Sequence, residues 1–196
     1  MSTYTEAPLQ VKLDRSKKHM MWFAIASLVM MFAGLTSAYV VSSSRRDWRE
    51  IELPQEFFWS TGVIVLSSIA LILAKKAIKS GNTKGGTFLT VVTLILGSIF
   101  VFMQFQGFQS LVDQKIFLTG TGSNVNASYI YLMVVAHLAH IAAGLIALIV
   151  MTIKTVQGKY TAQKIIGFEL GSIFWHFVDI LWIYLLLFLV FAKDIF

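Results

Sequence analysis

The sequence predicts an all-α fold, an integral membrane bundle of five transmembrane helices. Three observations carry this reading. Of the 196 residues, 57% are hydrophobic and only 13% charged, with a mean hydropathy of +0.73, whereas soluble domains carry roughly 25% charged residues. One small core cannot hide that much apolar surface, so the bilayer acts as solvent. Five apolar runs each approach the ~20 residues that a crossing helix needs. They are continuous and do not alternate with polar residues, which excludes barrel strands.

The spans fall at about Met20–Val41, Phe57–Ala77, Phe88–Phe108, Tyr129–Ile153 and Leu170–Ala192. Residues 1–19 read as an N-terminal tail on the cytoplasmic side, and residues 20–196 as one five-helix domain. A lysine-rich stretch precedes the first run, but that run is too long for the ~7–15 residues of a signal-peptide core, so a retained span is expected. The connections are short. Gly81–Gly86 and Thr119–Asn124 read as polar turns.

Orientation follows from Lys and Arg. Eleven lie in the N-terminal tail (Lys12, Arg15, Lys17, Lys18), the second loop (Lys75, Lys76, Lys79, Lys84) and the fourth (Lys154, Lys159, Lys164). Five lie on the other side: Arg45, Arg46, Arg49, Lys115 and Lys193. Asp47, Glu50, Glu52 and Glu56 offset the arginines of the first outer loop. The more basic side stays in the cytoplasm, so the N-terminus is expected inside and the C-terminus outside, in the periplasm or its equivalent. The pI near 9.6 therefore reflects loop charges, and no nucleic-acid partner is expected. Trp48, Trp59 and Tyr129 fall near the interfaces, where amphipathic rings are favoured. The chain has no cysteine, which excludes disulfides, thiolate metal sites and covalent haem attachment.

Ionisable residues at membrane depth are costly and mark function or buried contacts. Glu169, Ser172, His176 and Asp179 step by three, four and three residues, which sets them on one face of the fifth helix. His137, His140, Gly144 and Ala147 do the same on the fourth. At 1.5 Å per residue, Asp179 and His140 each lie roughly 15–17 Å into their helices, near the middle of a ~30 Å core. The expectation is that His137 or His140 hydrogen-bonds His176 or Asp179. Such a contact fits a structural lock, a proton relay, or a metal or haem site. Gln104 is expected to bond between helices. Met20-Met21 and Met30-Met31 read as packing groups. There is no nucleotide-binding glycine motif, zinc signature or nucleophile–base motif.

Trp175-His176-Phe177-Val178-Asp179, followed by Trp182, resembles the last-helix signature of subunit III of haem–copper terminal oxidases, and Glu169 also fits. His137-x-x-His140-x-x-x-Gly144-Leu145 resembles that family's preceding helix. Leu96-Gly97-x-x-Phe100-x-x-x-Gln104, Phe32-Ala33-Gly34-Leu35 with Ala38-Tyr39, and Leu53-Pro54 with Ser67-Ser68 match in the right order. The resemblance runs from about Met20 to the C-terminus and is to the five-helix form. Ser27-Leu28 and Gln104-Phe105-Gln106-Gly107 depart from the family's Ser-Glu and Gln-x-x-Glu, so no intramembrane glutamate is expected here.

The resemblance implies an accessory, non-catalytic subunit of a proton-pumping respiratory oxidase in the inner (plasma) membrane. No catalytic, cofactor or metal ligand is expected on this chain. Haem and copper are expected in partner subunits I and II, with direct packing on subunit I, bound phospholipid, and support of proton uptake and oxygen delivery. His137, His140, Glu169, Trp175, His176, Asp179, Trp182 and Gln104 are expected to fix helix packing or lipid contacts. Cytochrome c is the favoured donor, with quinol as the alternative. Two readings from other classes are a membrane electron carrier holding haem or metal through His140 and His176, and a small transporter. The latter lacks an inverted repeat or Gly/Pro-broken helices.

Overall fold

The computed structural model describes residues 3–45, 48, 51–116, 124–160 and 165–195. They form five helices: α1 (Thr3–Ser42), α2 (Gln55–Lys79), α3 (Thr83–Asp113), α4 (Val125–Val156) and α5 (Ile166–Ile195). All five are long and apolar enough to cross a membrane, and the described residues contain no strand. Arg46, Asp47, Arg49, Glu50, Lys164 and most of the expected turn at 119–124 lie outside the described residues, as does the side chain of Lys193.

The helix ends follow local chemistry. Pro54, which cannot continue a preceding helix ladder, stands immediately before α2. Gly81 turns the chain with φ +84°, a conformation that costs glycine little. Asn82 then caps α3 by accepting from the Gly85 amide at 2.9 Å. The expected Gly81–Gly86 turn is therefore shorter: α3 begins at Thr83, and Gly86 already lies against Ile78 of α2, where a Cβ would collide. Asn124 caps α4 in the same way, accepting from the Ala127 amide at 2.7 Å. At the N-terminus, α1 continues upstream through the basic stretch to Thr3.

Three helices carry an alternating three-and-four spacing of buried residues. On α2 these are Phe57, Ser60, Ile64, Ser67, Leu71, Ala74 and Ile78. On α3 they are Gly86, Thr90, Thr93, Gly97, Phe100, Gln104, Gly107 and Leu111. On α4 the row runs Ile130, Val134, His137, Ile141, Gly144, Leu148, Met151 and Thr155. This is the seam of a left-handed helix bundle. The packed pairs α2–α3, α3–α4, α4–α5 and α2–α5 close a four-helix ring, and α1 lies outside it against α4 and α5. α1 is tied there by hydrogen bonds between Thr36 and Tyr184 (3.2 Å) and between Ser42 and Tyr129 (2.9 Å).

Apolar surface gains nothing by leaving lipid, so close approach and polar bonds must hold such helices together. Glycines supply the close approach. Gly97 and Gly144 flank the buried Trp175 indole; a Cβ would come within 2.7 Å of it at Gly97 and 3.0 Å at Gly144. Gly107 lies against Phe57 and Gly171 against Met151. Facing outward are Phe23, Met30, Trp59, Phe88, Phe102, Phe105 and Phe191, rings and chains suited to lipid or a partner helix.

Candidate functional site

The polar residues of α5 meet hydroxyls of α2. Trp175 and Trp182 are seven residues apart, two turns along one face. Trp175 Nε1–H donates to Ser67 Oγ at 3.1 Å, and Trp182 Nε1–H donates to Thr61 Oγ1 at 3.0 Å. Ser67 donates onward to the Thr93 carbonyl of α3 at 3.4 Å. Next to Ser67, Ser68 Oγ stands 2.8 Å from His176 Nδ1 and is hydrogen-bonded to Asp179 Oδ2. A hydroxyl has one proton, so Ser68 donates to one of these partners and accepts from the other. Asp179 is buried, and no described residue hydrogen-bonds its Oδ1.

The expected pairing of His137 or His140 with His176 or Asp179 is not formed. His140 Nδ1–H instead donates to the Ala136 carbonyl of its own helix at 2.7 Å, and its ring meets Phe32 of α1 edge-on. His137 is fully enclosed and stacks on Trp182, with ring centroids 5.3 Å apart. Phe100 also meets His137 edge-on, and neither ring nitrogen has a hydrogen-bond partner among the described residues. The physical reason lies in the two indoles. Trp175 and Trp182 fill the space between α4 and α5, and the nearer hydroxyls of α2 take up His176 and Asp179. On α3, Gln104 Nε2–H donates to Ser60 Oγ at 2.9 Å.

Further back along the same face, Glu169 sits in the first turn of α5, where the helix dipole favours a carboxylate. It forms ion pairs with Lys79 (2.9 Å), Lys18 (3.1 Å) and Lys75 (3.7 Å). These lysines come from α1 and α2, so one carboxylate joins three helices. The Lys18 and Lys79 side chains are 45% and 50% exposed, which caps the worth of the cluster through solvent screening. Glu169→Ala is therefore expected to cost only about 1 kcal/mol. Thermal melting in detergent at low and high salt checks this, since the loss should shrink as salt rises.

Chemically, the described residues contain no group of three or more His, Asp or Glu placed to hold a metal ion. The two candidate haem-ligating imidazoles serve different contacts, His140 toward α1 and His176 toward α2. Ser67, Ser68 and Thr61 are the residues whose part in the site the sequence did not single out. Their signal was a hydroxyl on each side of two turns of an otherwise apolar helix.

Fold and seam together define a polytopic membrane bundle whose intramembrane polar groups lock helices to one another. The sequence profile named Cytochrome c oxidase subunit III matches residues 10–193. A protein named Probable cytochrome c oxidase subunit 3 from Nocardia farcinica is 30% identical over 81% of this chain and 79% of its own. Cytochrome c oxidase subunit 3 of Alkalihalophilus pseudofirmus is 26% identical over 91% and 88%, and Quinol oxidase subunit 3 of Bacillus spizizenii 23% over 92% and 90%. The chain belongs to the cytochrome c oxidase subunit III family. It is a subunit III of a haem–copper oxidase and a multi-pass membrane protein of a multi-subunit complex.

Proposed function

We propose that this chain is the accessory, non-catalytic scaffold of a proton-pumping oxidase that takes electrons from cytochrome c and reduces oxygen to water. The observation that carries this reading is the family match across nearly the whole chain, joined to a polar seam occupied by helix-to-helix bonds. Haem and copper belong to the partner subunits, with subunit I the direct neighbour and subunit II the seat of donor choice. The relatives named for cytochrome c support that donor, and the one named for quinol supplies the alternative. The bacterial relatives support the plasma membrane, and the basic end at Lys18, Lys75 and Lys79 supports a cytoplasmic N-terminus.

An apolar cavity of about 360 Å³ between α1 and α5, lined by Phe32, Ala33, Phe177, Ile180, Leu181 and Tyr184 among others, has the character for a lipid chain and for oxygen, which is itself apolar. Proton uptake and oxygen delivery are the steps such a scaffold would sustain.

Purification of the tagged chain in mild detergent tests the reading. The expected result is co-isolation of haem-bearing subunits, with oxygen consumption driven by reduced cytochrome c. A chain that isolates alone with its own stoichiometric Soret band would instead establish the electron-carrier reading, and activity with quinol alone would change the donor. Turnover at limiting oxygen, with and without this subunit, checks the delivery role; unchanged oxygen affinity would count against it.

A further inference from the structure

We propose that His176, Ser68 and Asp179 form a one-proton site inside the membrane, with the Ser68 hydroxyl as the bridge between imidazole and carboxyl. Three observations carry it. Ser68 Oγ contacts both His176 Nδ1 and Asp179 Oδ2. Asp179 is 2% exposed, with Oδ1 unpartnered among the described residues. And the site lies deep: Ser68 is eleven residues from Lys79 and Asp179 thirteen from Ile166, roughly 16 and 20 Å along their helices.

An ionised carboxylate at that depth is costly unless a counter-charge is held close, and an imidazolium–carboxylate pair must desolvate both ions. The neutral arrangement avoids both costs and keeps both hydrogen bonds. Asp179 carries the proton and donates to Ser68 Oγ; Ser68 O–H donates to His176 Nδ1; His176 keeps its proton on Nε2. Transfer conserves protons. The Asp179 proton passes to Ser68 Oγ as the Ser68 proton passes to Nδ1, which leaves imidazolium and carboxylate joined by the same two bonds reversed. Removing one proton altogether leaves neutral imidazole donating from Nδ1 through Ser68 to the carboxylate.

The site has a polar way out. Ser172 and Glu169 continue the same face of α5 toward the basic end, and the buried Ser172 hydroxyl has no hydrogen-bond partner among the described residues. The titratable groups around the site are Lys75 and Lys79 on α2, Lys18 on α1, His137 and His140 on α4, and Glu169 on α5 itself. α3 meets α5 through Gly97 against Trp175 and Phe100 against Trp182, and brings no titratable group to those contacts.

Infrared spectroscopy of the assembled oxidase tests the proposal. The expected result is a carboxylic-acid carbonyl band that moves on transfer to D2O, disappears in Asp179→Asn and changes frequency in Ser68→Ala, while the subunit still co-purifies. Asn preserves the side chain's shape; if that variant fails to assemble, the Ser68→Ala shift decides. A carboxylic-acid region identical in wild type and Asp179→Asn, or unchanged in Ser68→Ala, overturns the site. A band insensitive to D2O overturns its exchange with the basic end. Co-purification reports separately on the accessory reading, so the two can fail independently.

Discussion

Replacing Trp175 by Ala is expected to destabilise the bundle by about 3–5 kcal/mol. The indole is fully buried in a slot between Gly97 of α3 and Gly144 of α4, with its N–H on Ser67 of α2. One side chain thus fills the junction of four helices. In lipid the loss is mainly packing, because hydrocarbon offers no hydrophobic drive to close the void; the glycines, with no side chain, cannot fill it. Trp175→Phe keeps a smaller ring but gives up the N–H bond and the fused-ring carbons that sit against Gly97 and Gly144, an intermediate loss of about 1–3 kcal/mol. Thermal melting in detergent and the amount of subunit retained on the oxidase measure both. Equal stability of the Ala and Phe variants would show that the slot does not organise the ring of helices.

Trp182→Ala has the second large effect, again about 3–5 kcal/mol. Trp182 meets Phe57 and Phe100 edge-on, with centroids 5.6 Å away in each case, stacks on His137 and donates to Thr61. Its removal takes the stacking partner from an imidazole that has no hydrogen bond to fall back on among the described residues. Tyr184, two residues on and 45% exposed, is the control. Tyr184→Ala should cost far less, and equal melting temperatures for the two variants would contradict the aromatic core described here.

Much of this was legible in the residues. Continuous apolar runs separated by basic turns specify five crossings, because length and charge are properties that the bilayer reads directly. The three-and-four spacing of Glu169, Ser172, His176 and Asp179 marked the face of α5 that carries polar contacts. What the spacing could not supply was the partner. Depth alone made α4 as good a match as α2, and the two histidines on α4 were the more conspicuous polar groups. The structure chose α2 because Trp175 and Trp182 occupy the α4 side, a matter of side-chain volume that a pairwise depth estimate omits. The bonding partners of Ser67, Ser68 and Thr61 are hidden for another reason: hydroxyls in membrane helices commonly bond their own preceding turn, as Thr61 also does to the Phe57 carbonyl at 2.8 Å. The lysine cluster on Glu169 is equally hidden, since Lys18, Lys75 and Lys79 stand in the sequence only as loop and tail charges.

The most direct test of the central claim, that the polar groups of α5 are locked into the helix bundle and not used as redox ligands, is a side-chain-resolution structure of the assembled oxidase by electron cryo-microscopy. The expected density places Ser68 between His176 and Asp179, with the Trp175 indole seated between Gly97 and Gly144. His176 and Asp179 turned into hydrocarbon, or density for an iron or copper ion bound to His140 or His176, would contradict it.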